Sequence, residues 1–73
     1  MYRTQKTINK KSLASGNTQL INAAIYNAKE MAQQSIEWGA DINVQNNVGD
    51  TALIEACRRG HYEIVVMLLK SGA

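Results

Sequence analysis

The stretch GDTALIEACRRGHYEIVVMLLKSG, from Gly49 to Gly72, reads as a pair of short helices. Thr51 is placed to N-cap the first, because its hydroxyl accepts from a free backbone N–H of the opening turn. Ala52, Leu53, Ala56 and Cys57 then follow at helical spacing. Gly60 supplies the stop, since a left-handed conformation costs glycine little. A second amphipathic helix is predicted from about Tyr62 to Lys70, with Ile64, Val65, Met67, Leu68 and Leu69 apolar, and Gly72 ends it.

The stretch has a copy upstream. Shifting the chain by 33 residues, with no insertion or deletion, places Thr18 on Thr51, Leu20 on Leu53, Ile21 on Ile54, Ala23 on Ala56 and Glu30 on Glu63. Gly16 falls on Gly49, and Gly39-Ala40 on Gly72-Ala73. The matched positions carry separate structural roles, so the same hairpin is predicted upstream. There Thr18 caps a helix through about Tyr26, Asn27 replaces the glycine stop, and a second helix runs from about Lys29 to Trp38. Asp41 to Asp50, rich in Asn and Gly, is turn-like in composition. A period of 33 is that of a stacked-repeat architecture.

Gly39-Ala40-Asp41-Ile42-Asn43, Gly49-Asp50-Thr51-Ala52-Leu53, Ala56-Cys57, Gly60-His61-Tyr62-Glu63-Ile64-Val65 and Leu68-Leu69 together resemble the ankyrin repeat. The resemblance covers one full repeat, residues 39–71, and a divergent one, residues 12–38. Residues 72–73 match the start of a further repeat. It implies an all-α fold: an α-solenoid of two stacked helix-turn-helix units with a β-hairpin-type finger between them. Two departures bear on stability. The family's Thr-Pro-Leu-His is Thr51-Ala52-Leu53-Ile54 in one copy and Thr18-Gln19-Leu20-Ile21 in the other. Both copies lack the proline that pre-sets the first turn and the family's tethering histidine. Ser35 stands where the other copy has Leu68, which is expected to weaken the upstream core.

Composition narrows the function. At 73 residues the chain is one small domain, and folds of this size bury only about 60% of their unfolded surface. A single cysteine, Cys57, excludes an intrachain disulfide, and one cysteine with one histidine does not make a tetrahedral zinc site. The lone thiol suits a reducing, intracellular and cytoplasmic setting. No apolar run approaches the ~20 residues of a membrane span, and Met1 to Ser15 has no apolar stretch of a secretory signal. The net charge of +2 divides unevenly. Residues 1–17 hold Arg3, Lys6, Lys10 and Lys11 and no acid, whereas residues 18–73 hold four basic residues against six acids. Residues 1–11 are therefore read as a basic, disordered leader. The sharper alternative, an arm contacting nucleic acid, lacks interleaved aromatics and is the less favoured one.

No catalytic, cofactor or metal constellation is legible, and the chain is read as not an enzyme. Gly39, Gly49, Gly60 and Gly72 are repeat punctuation, not a phosphate loop. His61 is expected to make a local hydrogen bond, Cys57 to be a buried inert thiol, and Trp38 to pack against the neighbouring helix pair. What the resemblance implies instead is protein–protein recognition, through finger tips and the exposed side of each first helix. Carried over by position, that surface is Gln45, Asn47, Val48, Asp50, Arg58 and Arg59. In the upstream copy it is Ser12, Ala14, Ser15, Asn17, Ile25 and Tyr26. Arg58 and Arg59 read as adjacent and uncompensated, and arginine and tyrosine are frequent interface anchors. The alternative is a structural piece of a longer array with no partner of its own. Leu68 and Leu69 have no following helix pair in this sequence, which raises self-association through that uncapped side.

Overall fold

Among the described residues four helices form, and the first of each pair is bracketed by a threonine cap and a left-handed stop, whereas the second of each pair has no side-chain cap. The structure, a computed structural model, describes residues 10–72; most of the predicted leader, residues 1–9, lies outside them. Helix α1 is Gln19–Tyr26, α2 is Lys29–Glu37, α3 is Ala52–Arg59 and α4 is Tyr62–Lys70. The Thr18 hydroxyl accepts from Ile21 N–H at 3.2 Å, and the Thr51 hydroxyl from Ile54 N–H at 3.3 Å. Asn27 closes α1 with φ +57°, as Gly60 closes α3 with φ +74°. Asparagine tolerates this left-handed region because its short polar side chain makes local hydrogen bonds there.

The helices stack as two antiparallel pairs, α1 with α2 and α3 with α4. The first helices pack side by side, α1 on α3, and α2 meets α4. The core runs through this stack: Leu20, Ile21, Ala23 and Ala24 of α1, Ala32 of α2, Ala52 and Ala56 of α3, Ile64 and Leu68 of α4. Alanines on both α1 and α3 let these helices approach closely, and each fully buried Leu or Ile contributes about 1.5–3 kcal/mol.

Three expectations need amending. Cys57 is exposed rather than buried. The side of α3 turned inward carries Ala52, Glu55 and Ala56, and Cys57 lies off it. Ser35 is fully buried, but its hydroxyl is satisfied twice: it donates to Met31 C=O at 2.9 Å and accepts from the Gln19 amide at 2.9 Å. A buried polar group with its partners in place avoids the desolvation penalty of an orphaned one. The His61 bond is not local either. Nδ1 lies 2.7 Å from Ala24 C=O, 37 residues away. A carbonyl only accepts, so Nδ1 carries the proton and satisfies one of the carbonyls left free at the end of α1.

The segment between the pairs is a finger of hydrogen-bonded turns, with no strand among the described residues. Asn46 organises it. Its side-chain oxygen accepts from Val48 N–H at 3.1 Å and Asp50 N–H at 3.0 Å, while Gly49 N–H donates to Asn46 C=O at 3.0 Å. The finger rests on the corresponding upstream loop. Asn47 N–H donates to Ser15 C=O at 2.9 Å, its amide donates to Ala14 C=O at 3.2 Å, and the Asn46 amide donates to Asn17 at 2.9 Å. Ala14 stands 33 residues before Asn47, so the contact joins equivalent positions of the two repeats.

Candidate partner-binding surface

The expected surface residues divide into three sets. Tyr26, Val48, Gln45 and Asn47 are exposed, as a contact surface requires. Of these, Val48 and Tyr26 are large exposed apolar-bodied side chains, one on the finger and one at the end of α1. Gln45 and Asn47 are partly engaged in holding the finger, Gln45 by donating to Gly49 C=O at 3.0 Å and Asn47 through its bonds to the upstream loop. Ile25 is half-buried and packs against the core, so only its edge is available. Upstream, Ser12 and Ala14 are exposed, while Ser15 and Asn17 are half-buried.

Asp50, Arg58 and Arg59 form the third set, and here the reading of the arginines as uncompensated is corrected. Arg58 Nη1 lies 2.7 Å from Asp50 Oδ2 and 3.5 Å from Glu55 Oε1. Arg59 Nε donates to the same Glu55 oxygen at 3.2 Å. Asp50 is buried at the base of the finger, where it holds Arg58. The hydrogen bond from the Arg58 guanidinium holds the Asp50 carboxyl below its ordinary value of 3.8, assisted by a hydrogen bond with Glu55 and opposed by partial desolvation. The same bond to Asp50 raises Arg58.

Glu55, only 4% exposed, is the residue the pattern reading passed over. It sits three residues before Arg58 and four before Arg59, the spacing at which helical side chains meet, so the signal was available in the sequence. The pairing is also why a carboxylate tolerates that position, for a buried charge without partners is strongly disfavoured. The contacts engage Nη1 of Arg58 and Nε of Arg59, a fraction of the five donors each guanidinium has. Both guanidiniums are thus positioned with donors to spare. Because Arg58 reaches back from the last turn of α3 to Asp50, it joins the helix end to the finger base in one continuous surface.

Trp38 is half-buried at the end of α2. Of the basic leader, Lys10 and Lys11 are described and exposed, whereas Arg3 and Lys6 lie outside the described residues. Among the described residues no group of three or more His, Cys, Asp or Glu side chains is arranged to hold a metal ion, and no helix is long and apolar enough to cross a membrane.

Residues 2–73 match the family model for ankyrin repeats in three copies. A probable E3 ubiquitin-protein ligase of Oryza sativa subsp. japonica is 62% identical over 34 residues, which cover 47% of this chain and 6% of that protein. Ankyrin repeat domain-containing protein 40 of Homo sapiens is 48% identical over 52 residues, 70% of this chain and 14% of that one. The chain therefore spans a small part of the length of these relatives. The crystal structure of the ankyrin repeat domain of Bcl-3 superposes with a TM-score of 0.87 at 36% identity, over 90% of this chain and 29% of that one.

Proposed function

The chain belongs to the ankyrin-repeat family, a protein–protein interaction module, and we propose that it binds a protein partner through the finger tip and the ends of its first helices. The observation that carries this reading is the Arg58–Arg59 pair, clamped by two buried carboxylates. Exposed Tyr26 adds to it at the position equivalent to Arg59 in the preceding repeat. Nothing in the fold requires a tyrosine in solvent, and a guanidinium already fixed in place loses less entropy on meeting a carboxylate or carbonyl. Val48 supplies an apolar contact at the finger tip. Free, exposed Cys57 suits a reducing, intracellular setting.

The structure alters how this surface is to be tested. Removing both arginines strips Glu55 of its cations, so a double alanine change confounds binding with folding. The cleaner variant combines Tyr26→Ala with Val48→Ala, two exposed side chains outside the clamp, leaving both arginines beside Glu55. Exposed changes of this kind shift stability by under about 0.5 kcal/mol each, whereas losing an interface anchor costs more than about 1 kcal/mol of binding. The variant should keep the helical signal and urea midpoint of the parent, and bind a partner captured by the parent at least about fivefold more weakly by calorimetry. Leu20→Ala, which damages the core, is the control for indirect loss. Equal affinity in parent and variant would move the contact surface elsewhere on the molecule.

A further inference from the structure

The outward sides of the two second helices carry different chemistry. On α2 the residues turned from the core are Lys29, Gln33 and Glu37, four apart and all exposed. Their counterparts on α4, 33 residues on, are Tyr62, Val66 and Lys70, also exposed. The α2 residues stay exposed although a helix pair follows them, and the α4 residues although one precedes them. These positions face solvent by their place on the helix, not for want of a neighbouring repeat. Polar side chains serve there on α2, so the fold demands neither Tyr62, 71% exposed, nor Val66, 49% exposed, on α4.

These apolar groups continue into a shallow groove at the junction of α2 and α4, lined by Lys29, Tyr62, Glu63, Val66 and Met67. Lys29 Nζ lies 2.6 Å from Glu63 Oε1 across the junction, so the pair ties the outer edges of two repeats into one surface. Farther along α2 the Gln33 amide donates to Glu37 at 3.1 Å. Charge is sorted by helix end. On α4, Glu63 stands in the first turn and Lys70 in the last. On the outward side of α2 the order is reversed, with Lys29 first and Glu37 last. Glu30, the counterpart of Glu63, is turned to the upstream flank of α2, just as Glu63 reaches back towards the preceding repeat.

That arrangement is complementary to itself. A second copy turned about a two-fold axis, its helices antiparallel to the first, sets Val66 against Val66 and Gln33 against Gln33. Lys29 then faces Glu37 of the second copy, and Glu63 lies beside Lys70 of the second copy. The Tyr62 ring meets the last turn of the second copy's α4. With the Lys29–Glu63 pair already in place, the charges alternate in sign across the contact, twice by symmetry. Opposite charges meeting across an interface fix its register and orientation, and a like-with-like contact closes at two copies. We propose that the outward faces of α2 and α4 pack on the same faces of a second copy in a transient antiparallel dimer. Helices of nine residues are about 14 Å long, so two side by side offer a small face of the kind found in transient contacts. The finger and the first helices stay free, and the dimer presents two copies of the proposed partner surface at once.

Sedimentation equilibrium from about 10 μM to about 1 mM, a range suited to a small interface, tests this. The parent chain should show a monomer–dimer equilibrium with no larger species. Raising salt from about 20 mM to about 500 mM should weaken the dimer at least about fivefold, because exposed charge pairs are screened. Val66→Lys should abolish it and leave the fold intact, the position being exposed. A charge exchange makes the test specific to this face. Lys70→Glu and Glu63→Lys each set like charges together in their own homodimer and should weaken association at least about tenfold. Mixed in equal amounts, the two variants should dimerise with one another, because each supplies the charge the other lacks. Glu63→Lys also gives up the Lys29 pair, an exposed contact of little weight in folding. Circular dichroism checks each variant, and where one fails to fold, the salt dependence of the parent decides. A parent that stays monomeric or grows beyond two copies would overturn the proposal. So would a dimer indifferent to salt or to Val66→Lys, or a mixture of folded charge variants that does not associate.

Discussion

Gly16 is the position where the two repeats are most tightly interlocked, and replacing it separates two costs that usually arrive together. Its φ is +75°, and a β-carbon added there would lie 2.4 Å from the Asn47 side-chain oxygen and 2.8 Å from the Asn47 backbone nitrogen. The backbone nitrogen cannot swing aside as a side chain does, so the finger must move. Moving it breaks the Asn47 N–H bond to Ser15 and the Asn47 amide bond to Ala14. Gly49 is the internal control, with φ +84° but nothing nearer than 4.0 Å to an added β-carbon. For Gly49→Ala the left-handed conformation alone costs about 1–2 kcal/mol. For Gly16→Ala the same cost is joined by about 1 kcal/mol for each finger bond lost, giving roughly 3–4 kcal/mol. Against a total stability of roughly 4–11 kcal/mol for a chain of this size, the second change removes a large share. Urea unfolding followed by circular dichroism, at one protein concentration throughout, measures both. With a slope near 1 kcal/mol per molar, the midpoint for Gly16→Ala should lie about 2 M below that for Gly49→Ala. Equal midpoints would refute the finger interlock and reduce both glycines to backbone conformation.

Two further perturbations probe the polar contacts. Asp50 has its pKa lowered chiefly by the hydrogen bond from Arg58, so it stabilises the fold above its unfolded value of 3.8 and loses that contribution as pH falls through the lower folded value. In acid titrations monitored by circular dichroism, the stability gap between the parent and Asp50→Asn should therefore close below about pH 4, and a gap independent of pH there would exclude the pairing. His61→Ala removes the bond to Ala24 C=O and should cost about 1 kcal/mol, a fall of about 4–8 °C in melting temperature for a domain of this size; a shift under about 1 °C would show that the tether contributes nothing.

The frame of the fold was legible because its signals are local. Thr18 and Thr51 announce helix starts, and Asn27 and Gly60 announce stops, each from the preferences of its own backbone. A 33-residue shift then identifies the two hairpins as equivalent. Three features of the site were not read, for three physical reasons. Glu55 was passed over because apolar patterning assigns buried positions to apolar residues, whereas here two arginines on the following turn make a buried carboxylate tolerable. The exposure of Cys57 depends on which side of α3 has a neighbour, and residue type does not state that. The partner of His61 lies 37 residues away, beyond any local pattern, although its distance is close to one repeat period.

The contacts between repeats differ in kind from those that build the proposed binding surface, and the difference bears on that proposal. Arg58, Arg59, Asp50 and Glu55 all belong to the second repeat, so the arginine clamp is complete within it. Tyr26 and Ala14 belong to the first. The alignment of Tyr26 with Arg59 thus rests on the seam between repeats: the alanine contact of α1 with α3, the His61 bond to Ala24, and the finger bonds of Asn46 and Asn47. Two of these three are directional hydrogen bonds to specific atoms of the preceding repeat. Apolar packing alone tolerates small slides of one helix along another, whereas a hydrogen bond weakens steeply once its geometry is lost. The polar bonds therefore set the register, and the alanines set the distance. A surface made of one residue from each repeat keeps its geometry only while both are in force, so the interlock at Gly16 and the tether at His61 bear on the proposed binding surface as much as on the fold.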